Sequence, residues 1–438
     1  MSQPEITDDV SPELAPRGAK KSIFAWCVYD WANSAFATVI ITFVYSVFFS
    51  RNMVGDETQG GAWWSYAIAV SGIFIAILGP FFGAVADHSG ARKRWVFGLS
   101  MLCIVPSALL WFGQPVAGPA NIFFVLALVV IANIGYELSS VFYNAMLTHI
   151  APRHLIGRVS GWGWGVGYLG GLAALAIALF GLIGFGDMEP WFGISGMNDA
   201  SVRATGPLTA IWFFVFMIPM LIWTHDVERK PMRTRDAMLL GLKQLGRTIR
   251  EVKHHKNLVQ FLVASAIYRD GLNTLFTVGG IYAAGVYKMD YIEILFFAIG
   301  LNVTAGLGAF LFAHLDDKIG SKFTVTISLI GLIITGAAVL MTDDKLVFTG
   351  LALALGLFMG PAQAASRTLA GRLAPRGMVT QTYGLYAFTG KSVAFMGPLA
   401  YGAATHFYNN QSAGMFTIVL FWILGLGLLS LVEEKRED

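Results

Sequence analysis

The stretch Tyr29-Asp30-Trp31-Ala32-Asn33-Ser34-Ala35-Phe36 returns as Arg269-Asp270-Gly271-Leu272-Asn273-Thr274-Leu275-Phe276, with Asp, Asn and Phe each 240 positions later. Working outward, Gly83-x-x-x-Asp87-His88-Ser89-Gly90-Ala91-Arg92-Lys93 is echoed by Ala313-x-x-x-Asp317-Lys318-Ile319-Gly320-Ser321-Lys322. His149-Ile150-Ala151-Pro152-Arg153 is echoed in turn by Arg372-Leu373-Ala374-Pro375-Arg376. Three echoes in one order mark a duplicated unit. In a bilayer, two homologous halves can rock against each other around a site between them, so the duplication points to transport.

The membrane follows from composition. Of 438 residues, 55% are hydrophobic and 13% charged, and the mean hydropathy is +0.62, too apolar for a soluble chain. Apolar runs of about 20 residues, enough to cross a ~30 Å hydrocarbon layer, fall at 22–50, 62–86, 94–112, 121–146, 159–185, 207–225, 257–286, 291–315, 323–341, 346–371, 381–406 and 413–432. The expectation is an all-α integral membrane protein of twelve transmembrane helices in two pseudo-symmetric six-helix halves, residues 22–225 and 257–432. Flanking them are an N-terminal tail (1–21), a linker (226–256) and a short C-terminal tail (433–438).

Basic residues orient the spans, because cytoplasmic loops retain an excess of Lys and Arg. With the N-terminus inside, the outer loops hold only Arg51, Arg203, Lys288 and Lys345 of the thirty Lys and Arg. Both termini are therefore expected in the cytoplasm, and the net charge of +3 reflects topology rather than nucleic-acid binding. No apolar segment ending in a cleavage site precedes the first span, so no cleaved signal is expected. Cys27 and Cys103 both fall inside spans, which argues against a disulfide framework or a metal site. In the linker, Met238, Leu242, Leu245, Ile249 and Val252 recur at helical spacing with Lys243, Arg247 and Arg250 on other faces. This is the pattern of an amphipathic helix on anionic lipid, or more simply of a tether between the halves.

The segment at Asp87 resembles the signature between the second and third spans of the major facilitator superfamily, Gly-x-x-x-Asp-Arg-x-Gly-Arg-Arg. Gly83, Asp87, Gly90 and Arg92 keep it, while His88 and Ala91 depart from it. A carboxylate at a helix end beside a basic cluster can pair in one conformation and release in another, so Asp87, Arg92, Asp317 and Lys322 are read as a conformational gate. Four further stretches narrow the resemblance: Tyr29 to Phe36, Phe142-Tyr143-Asn144-Ala145, Gly157 to Tyr168, and Gln363-Ala364-Ala365-Ser366-Arg367. Together they are similar to the branch of the autophagy-linked vacuolar amino-acid effluxer and its bacterial relatives. The resemblance covers essentially all twelve spans. It implies amino-acid export in the fungal namesake, and a cavity lined by spans 1, 4, 7 and 10.

Six charges lie inside spans: Asp30, Glu137, Arg269, Asp270, Arg367 and Lys391. Left in lipid they would cost on the order of 15–20 kcal/mol, more than typical net stability, so they must pair or line water. Asn133, Glu137, Ser140 and Asn144 form one stripe at i, i+4, i+7 and i+11. Asp30, Asn33 and Ser34 on span 1, and Asp270, Asn273, Thr274 and Thr277 on span 7, form others. The candidate substrate or coupling set is Asp30, Asn33, Glu137, Asn144, Arg269, Asp270, Asn273, Arg367 and Lys391. Within it Asp30 and Asp270 are expected to meet an ammonium or hold an Arg, and Arg367 or Lys391 to meet a carboxylate. Glu137, near mid-membrane where desolvation penalises charge, is the first candidate proton carrier. Mutual pairing of three acids with three bases is the plainer alternative.

Span 5 is dense in glycine (Gly161, Gly163, Gly165, Gly167, Gly170, Gly171), which suits close helix approach. It lacks the Gly-Pro pair of superfamily antiporters, which occurs instead in span 11 as Gly397-Pro398. Gly161-Trp162-Gly163-Trp164 follows no strand and carries no phosphate-loop Lys, which argues against nucleotide binding. The reading is a monomeric transporter in a bacterial inner membrane. It would move a small polar solute, an amino acid or similar zwitterion, with a proton as coupling ion and without a cofactor. An uncoupled facilitator, an exporter of amphiphiles and a membrane receptor are the alternatives. No Ser-His-Asp set or metal cluster suggests an enzyme.

Overall fold

The computed structural model describes residues 19–88, 92–116, 118–150, 156–184, 188–194, 199–224, 234–375 and 378–434. They form twelve membrane-crossing helices in two bundles of six. Spans 1 to 6 are Lys20–Met53, Glu57–His88, Arg92–Phe112, Pro119–Ile150, Ile156–Ile177 with its π-helical extension Ala178–Ile183, and Thr205–Trp223. Spans 7 to 10 are Lys256–Tyr287, Tyr291–Ile319, Ser321–Leu340 and Lys345–Arg372. Span 11 is split into Val379–Val393 and Met396–Tyr408, and span 12 is Gln411–Ser430. The face carrying the chain ends and the linker is called the terminal face, and the opposite one the distal face.

Ten of these helices are long and apolar enough on their own to cross a bilayer. The other two are spans 7 and 11. Span 7 carries Arg269, Asp270 and Asn273, and span 11 is broken at Ala394–Phe395 just after Lys391. Span 7 thus carries two adjacent charges and span 11 is too short in either piece, while spans 1, 4 and 10 each bring in a single intramembrane charge and stay apolar enough to cross. Charge is tolerated within the bundle rather than in lipid. Large apolar side chains such as Phe74, Ile77, Phe123, Ile211, Phe310 and Ile334 stay exposed and form the lipid-facing belt.

Each half packs through small residues and buried aromatics. A Cβ at Gly170 would lie 2.6 Å from the Trp31 Cα, and one at Gly163 would lie 2.8 Å from Asp30 Oδ2. The span 5 glycines therefore let its backbone approach span 1, as their spacing suggested. Tyr29 is fully buried, stacks on Tyr143 and bonds to Ser100 and Ser139, while Trp26 donates to the Tyr143 carbonyl. These tyrosines flank the charged stripe in sequence, but they are core. Cys27 and Cys103 are free and buried.

The linker helix, Thr234–Val252, packs against span 2 and buries Thr248 and Val252, whereas Leu239, Leu240 and Ile249 are exposed. Of the apolar stripe read from sequence, Leu245 and Val252 pack inward and Ile249 is exposed, while the side chains of Met238 and Leu242 lie outside the described residues. Of the gate residues, Asp87 and Asp317 have side chains outside the described residues. Arg92 is buried and donates to the Ala145 carbonyl at 2.7 Å. In the second half Asp316, one residue before the aspartate singled out, takes the Ser321 hydroxyl at 2.6 Å and lies 3.7 Å from Arg372. Glu434 near the chain end accepts from the Ser321 and Lys322 backbone N–H groups at 3.2 and 2.8 Å and from Arg372 at 3.0 Å. That carboxylate occupies the positive end of span 9, where partnerless amides favour an anion.

Candidate functional site

The site lies between the halves, and its centre is an ion pair that crosses them. Lys391 Nζ of span 11 sits 3.2 Å from Glu137 Oε2 of span 4, 3.1 Å from the Glu137 carbonyl and 3.0 Å from Ser140 Oγ. All three ammonium donors therefore find acceptors on one helix turn. The pair is about one third exposed on each side (30% and 34%), so water reaches it. Glu137, read from sequence as the first candidate proton carrier, is thus the partner of a cation from the other half.

The remaining candidates spread around this pair. Asp30 is half-buried, with Asn33 Nδ2 at 3.5 Å from its Oδ1. Asn144 and Asn273 are exposed. Arg269 donates to the Tyr386 carbonyl at 3.1 Å and lies 4.0 Å from the centre of that ring. Arg367 lies 5.1 Å from the ring centre of Trp164, across the halves. Neither guanidinium has a carboxylate partner among the described residues, so neither pairs with Asp30 or Asp270. The bond of Tyr268 to Ser366, 2.6 Å, ties spans 7 and 10 at the residues just before the two arginines and sets them at one level of the membrane. Asn133 belongs instead to packing, donating to Ser71 at 2.7 Å.

Asp270 does not line the cleft. It is 1% exposed, and its Oδ2 accepts the Gly397 N–H of span 11 at 2.7 Å. The stripe that predicts a common face for Asp270 and Asn273 divides: Asn273 faces the cleft, while Asp270 faces the packed seam with span 11. A helical face about 100° wide can carry both, and the position of the neighbouring helix decides between them.

Toward the distal face the cleft turns apolar. A narrow apolar opening runs into the second half, lined among others by Phe276, Tyr282, Phe348, Met359 and Trp422, with Thr42 of span 1 and Tyr168 of span 5 also on its wall. Asn302 is the one side-chain amide on its wall.

Beyond it the halves close. Arg51 donates to Glu57 Oε1 at 2.8 Å and to the carbonyls of Ala284 and Met289, both at 2.9 Å. Lys288 also binds Glu57, Gln411 donates to the Glu57 carbonyl at 2.6 Å, and Tyr291 donates to Asn52 at 3.0 Å. The bonds that tie one half to the other thus cluster at the distal face. Sequence reading noticed Arg51 and Lys288 as isolated bases but missed their shared acid. An acid six residues from a lone base on a base-poor face is the signal that could have found it. Glu57→Gln is expected to weaken this closure by roughly 1–2 kcal/mol, the scale of a charge-assisted hydrogen bond, and only in part, since Arg51 keeps its two carbonyls. Spin labels at exposed Val116 and Met341 would show it as a second, longer distance.

The chain matches the family described as "Vacuole effluxer Atg22 like" over residues 50–438. A Bacillus subtilis (strain 168) relative called an uncharacterized MFS-type transporter, YxiO, is 26% identical over 427 residues, 94% of each chain. Autophagy-related protein 22-1 of Penicillium rubens is 26% identical over 319 residues, 67% of this chain and 52% of the fungal protein. The chain thus spans about half the length of that fungal relative. Among solved structures, a D-xylose–proton symporter superposes with a TM-score of 0.65 at 15% identity, covering 95% of this chain and 98% of that one. A bacterial homologue of the human lysosomal transporter Spinster, inward-facing and unoccupied, gives 0.64 at 14%, covering 96% and 98%. These likenesses give the fold, that of the major facilitator transporters.

Proposed function

The chain belongs to the Atg22-like vacuole effluxer family and is a membrane transporter, and from that premise we propose that it carries a small zwitterion, an amino acid or close analogue, by alternating access with proton coupling. The observation that carries this reading is the Lys391–Glu137 pair, which presents opposite charges 3.2 Å apart between the halves. A zwitterion can exchange into such a pair, its carboxylate taking Lys391 and its ammonium Glu137, with no net charge left in the membrane. Arg269 and Arg367, without acid partners among the described residues, offer the carboxylate a second landing point by a two-point fork.

The distal closure, with Arg367 and Trp164 exposed on the other side, corresponds to one end state of the cycle. By the positive-inside rule the terminal face is cytoplasmic, which makes this state inward-facing in a bacterial inner membrane. The residue 226–256 segment then acts as the tether that lets the halves, 22–225 and 257–432, rock as bodies. The Asp316–Arg372–Glu434 cluster holds the terminal ends of the second half together, so the gate there involves Asp316 beside Lys322, with Arg92 as its counterpart in the first half.

A second reading, export of an amphiphile, is favoured by the apolar opening beyond Tyr168. Uptake of a labelled amino-acid pool into proteoliposomes, with and without an imposed pH gradient, tests both. Gradient-dependent accumulation that is lost in Glu137→Gln and in Lys391→Gln is expected. Failure of any amino acid to accumulate, with an apolar dye transported instead, would replace the first reading by the second.

A further inference from the structure

We propose that Asp270 is the proton-binding site of this carrier, and that its proton governs the joint between the two pieces of span 11. This deepens the coupled-transport reading above and rests on it only for flux.

Gly397, whose N–H meets Asp270 Oδ2 at 2.7 Å, lies in the first turn of Met396–Tyr408, where helix amides have no partner of their own. A carboxyl of span 7 therefore caps the second piece of span 11. The glycine makes this approach possible, since a Cβ there would lie 3.1 Å from both the Asp270 carbonyl and its Oδ1. Oδ1 itself is buried and meets no hydrogen-bond donor, and no ion pair reaches the group among the described residues. An ionised carboxylate would hold a full charge there against one neutral N–H. A proton taken from water onto Oδ1 removes that charge and leaves Oδ2 free to accept from Gly397.

Among the described residues, no titratable or charged side chain on the surrounding helices forms an ion pair or hydrogen bond with the Asp270 carboxyl. On span 7, Arg269 is held at Tyr386, Tyr268 at Ser366 and Tyr282 at Ser412. On span 11, Lys391 is bound to Glu137 and Ser140, Tyr386 stacks on Phe261, Tyr401 packs against Gly414, and His406 lies beside Tyr66 of span 2. Arg367 of span 10 lies over Trp164 and Tyr291 of span 8 reaches Asn52. The facing π-helical turn of span 1, Phe36–Phe43, and span 12 carry no ionisable side chain.

A metal ion is a poorer occupant, because hard cations take about six oxygens. The two other oxygens packed against Gly397, the Thr274 hydroxyl and the Asp270 carbonyl, are bonded to each other at 2.8 Å. Asp30, at the matching position of the first half, is half-buried against an unbroken span 5. Only the second copy is sealed at a helix break, so only there does loss of a proton require the break to open.

Infrared difference spectra of the reconstituted protein, recorded as buffer pH is raised, should contain a protonated-carboxyl band at neutral pH. The band should be absent from Asp270→Asn, displaced in Asp270→Glu, and unchanged in Glu137→Gln and Asp30→Asn. Asparagine keeps an acceptor for Gly397, so this variant should retain the parent's helical circular dichroism and unfolding midpoint. A band that survives in Asp270→Asn, its absence from the parent protein, or its removal by sodium at constant pH overturns the proposal. In vesicles holding a pH-sensitive dye, the amino-acid pool should drive proton movement that falls at least tenfold in Asp270→Asn. If the band belongs to Asp270 but no amino acid moves protons, the substrate reading fails and the proton site stands. If Asp270→Asn moves protons at the parent rate, the proton site fails and the transport reading stands.

Discussion

Replacing Gly280 by valine is expected to hold the two halves apart at the distal face and to slow transport. Gly280 of span 7 packs directly on the backbone of span 1, where a Cβ would come within 3.1 Å of the Phe43 Cα and closer still to the Thr42 carbonyl. That carbonyl lies in the π-helical turn Phe36–Phe43, where the Thr42 hydroxyl donates to the Ala37 carbonyl five residues back. The wider turn brings the span 1 backbone up to span 7, so the contact is one of those that close the distal face. Overpacking of this kind costs about 1–3 kcal/mol, which lowers the closed population about 5- to 150-fold. A carrier that cannot close one side cannot complete its cycle, so turnover should fall by the same factor while the folded halves survive. Spin labels at Val116 and Met341, 90% and 88% exposed on opposite halves, would read the change as a shift to the longer distance. Cys27 and Cys103 are buried and should stay unlabelled. An unchanged distance distribution, with transport retained, would show that this crossing is not the closing contact.

The second large effect is expected at the cross-half pair. Among the described residues Lys391 is the one cation paired with Glu137 and Glu137 the one carboxylate paired with Lys391, so Lys391→Gln or Glu137→Gln leaves a charge within the membrane without its partner. Each is expected to lower amino-acid transport at least tenfold, by about 1.4 kcal/mol or more in transition-state terms. The double neutral variant should be no worse than either single change, because the two groups act as a unit. The exchanged pair, Glu137→Lys with Lys391→Glu, separates two roles. If the pair only latches the halves together, the exchange should restore transport. If it receives the substrate, the exchange should not, because Ser140 Oγ and the Glu137 carbonyl on span 4 are placed to accept from an ammonium arriving from span 11. Restored transport of amino acids in the exchanged variant would remove the substrate contact from the pair.

Much of the architecture was legible because the bilayer imposes one rule on every residue that meets it. A spanning segment must be apolar, about 20 residues long and internally hydrogen-bonded, so each predicted run overlaps an observed helix. Span 11 shows what that rule does not reach: residues 381–406 read as a single crossing, but the chain breaks at Ala394–Phe395. The break is stabilised by Asp270, 127 residues away in sequence, and no local pattern encodes such a partner.

At the site, helical periodicity selected the residues but could not pair them. Glu137 and Lys391 are separated by the whole linker, and their contact exists only because spans 4 and 11 are brought together when the halves assemble. Asp30 and Asp270, identical in motif, ended in different surroundings, one beside the cleft and one sealed. Sequence by itself determined the duplication, the twelve crossings and the charges that had to leave lipid, since these follow from transfer free energies that act residue by residue. Which charge meets which, which aspartate is dry and which face is closed were decided by tertiary structure alone, because each depends on the packing of helices distant in the chain.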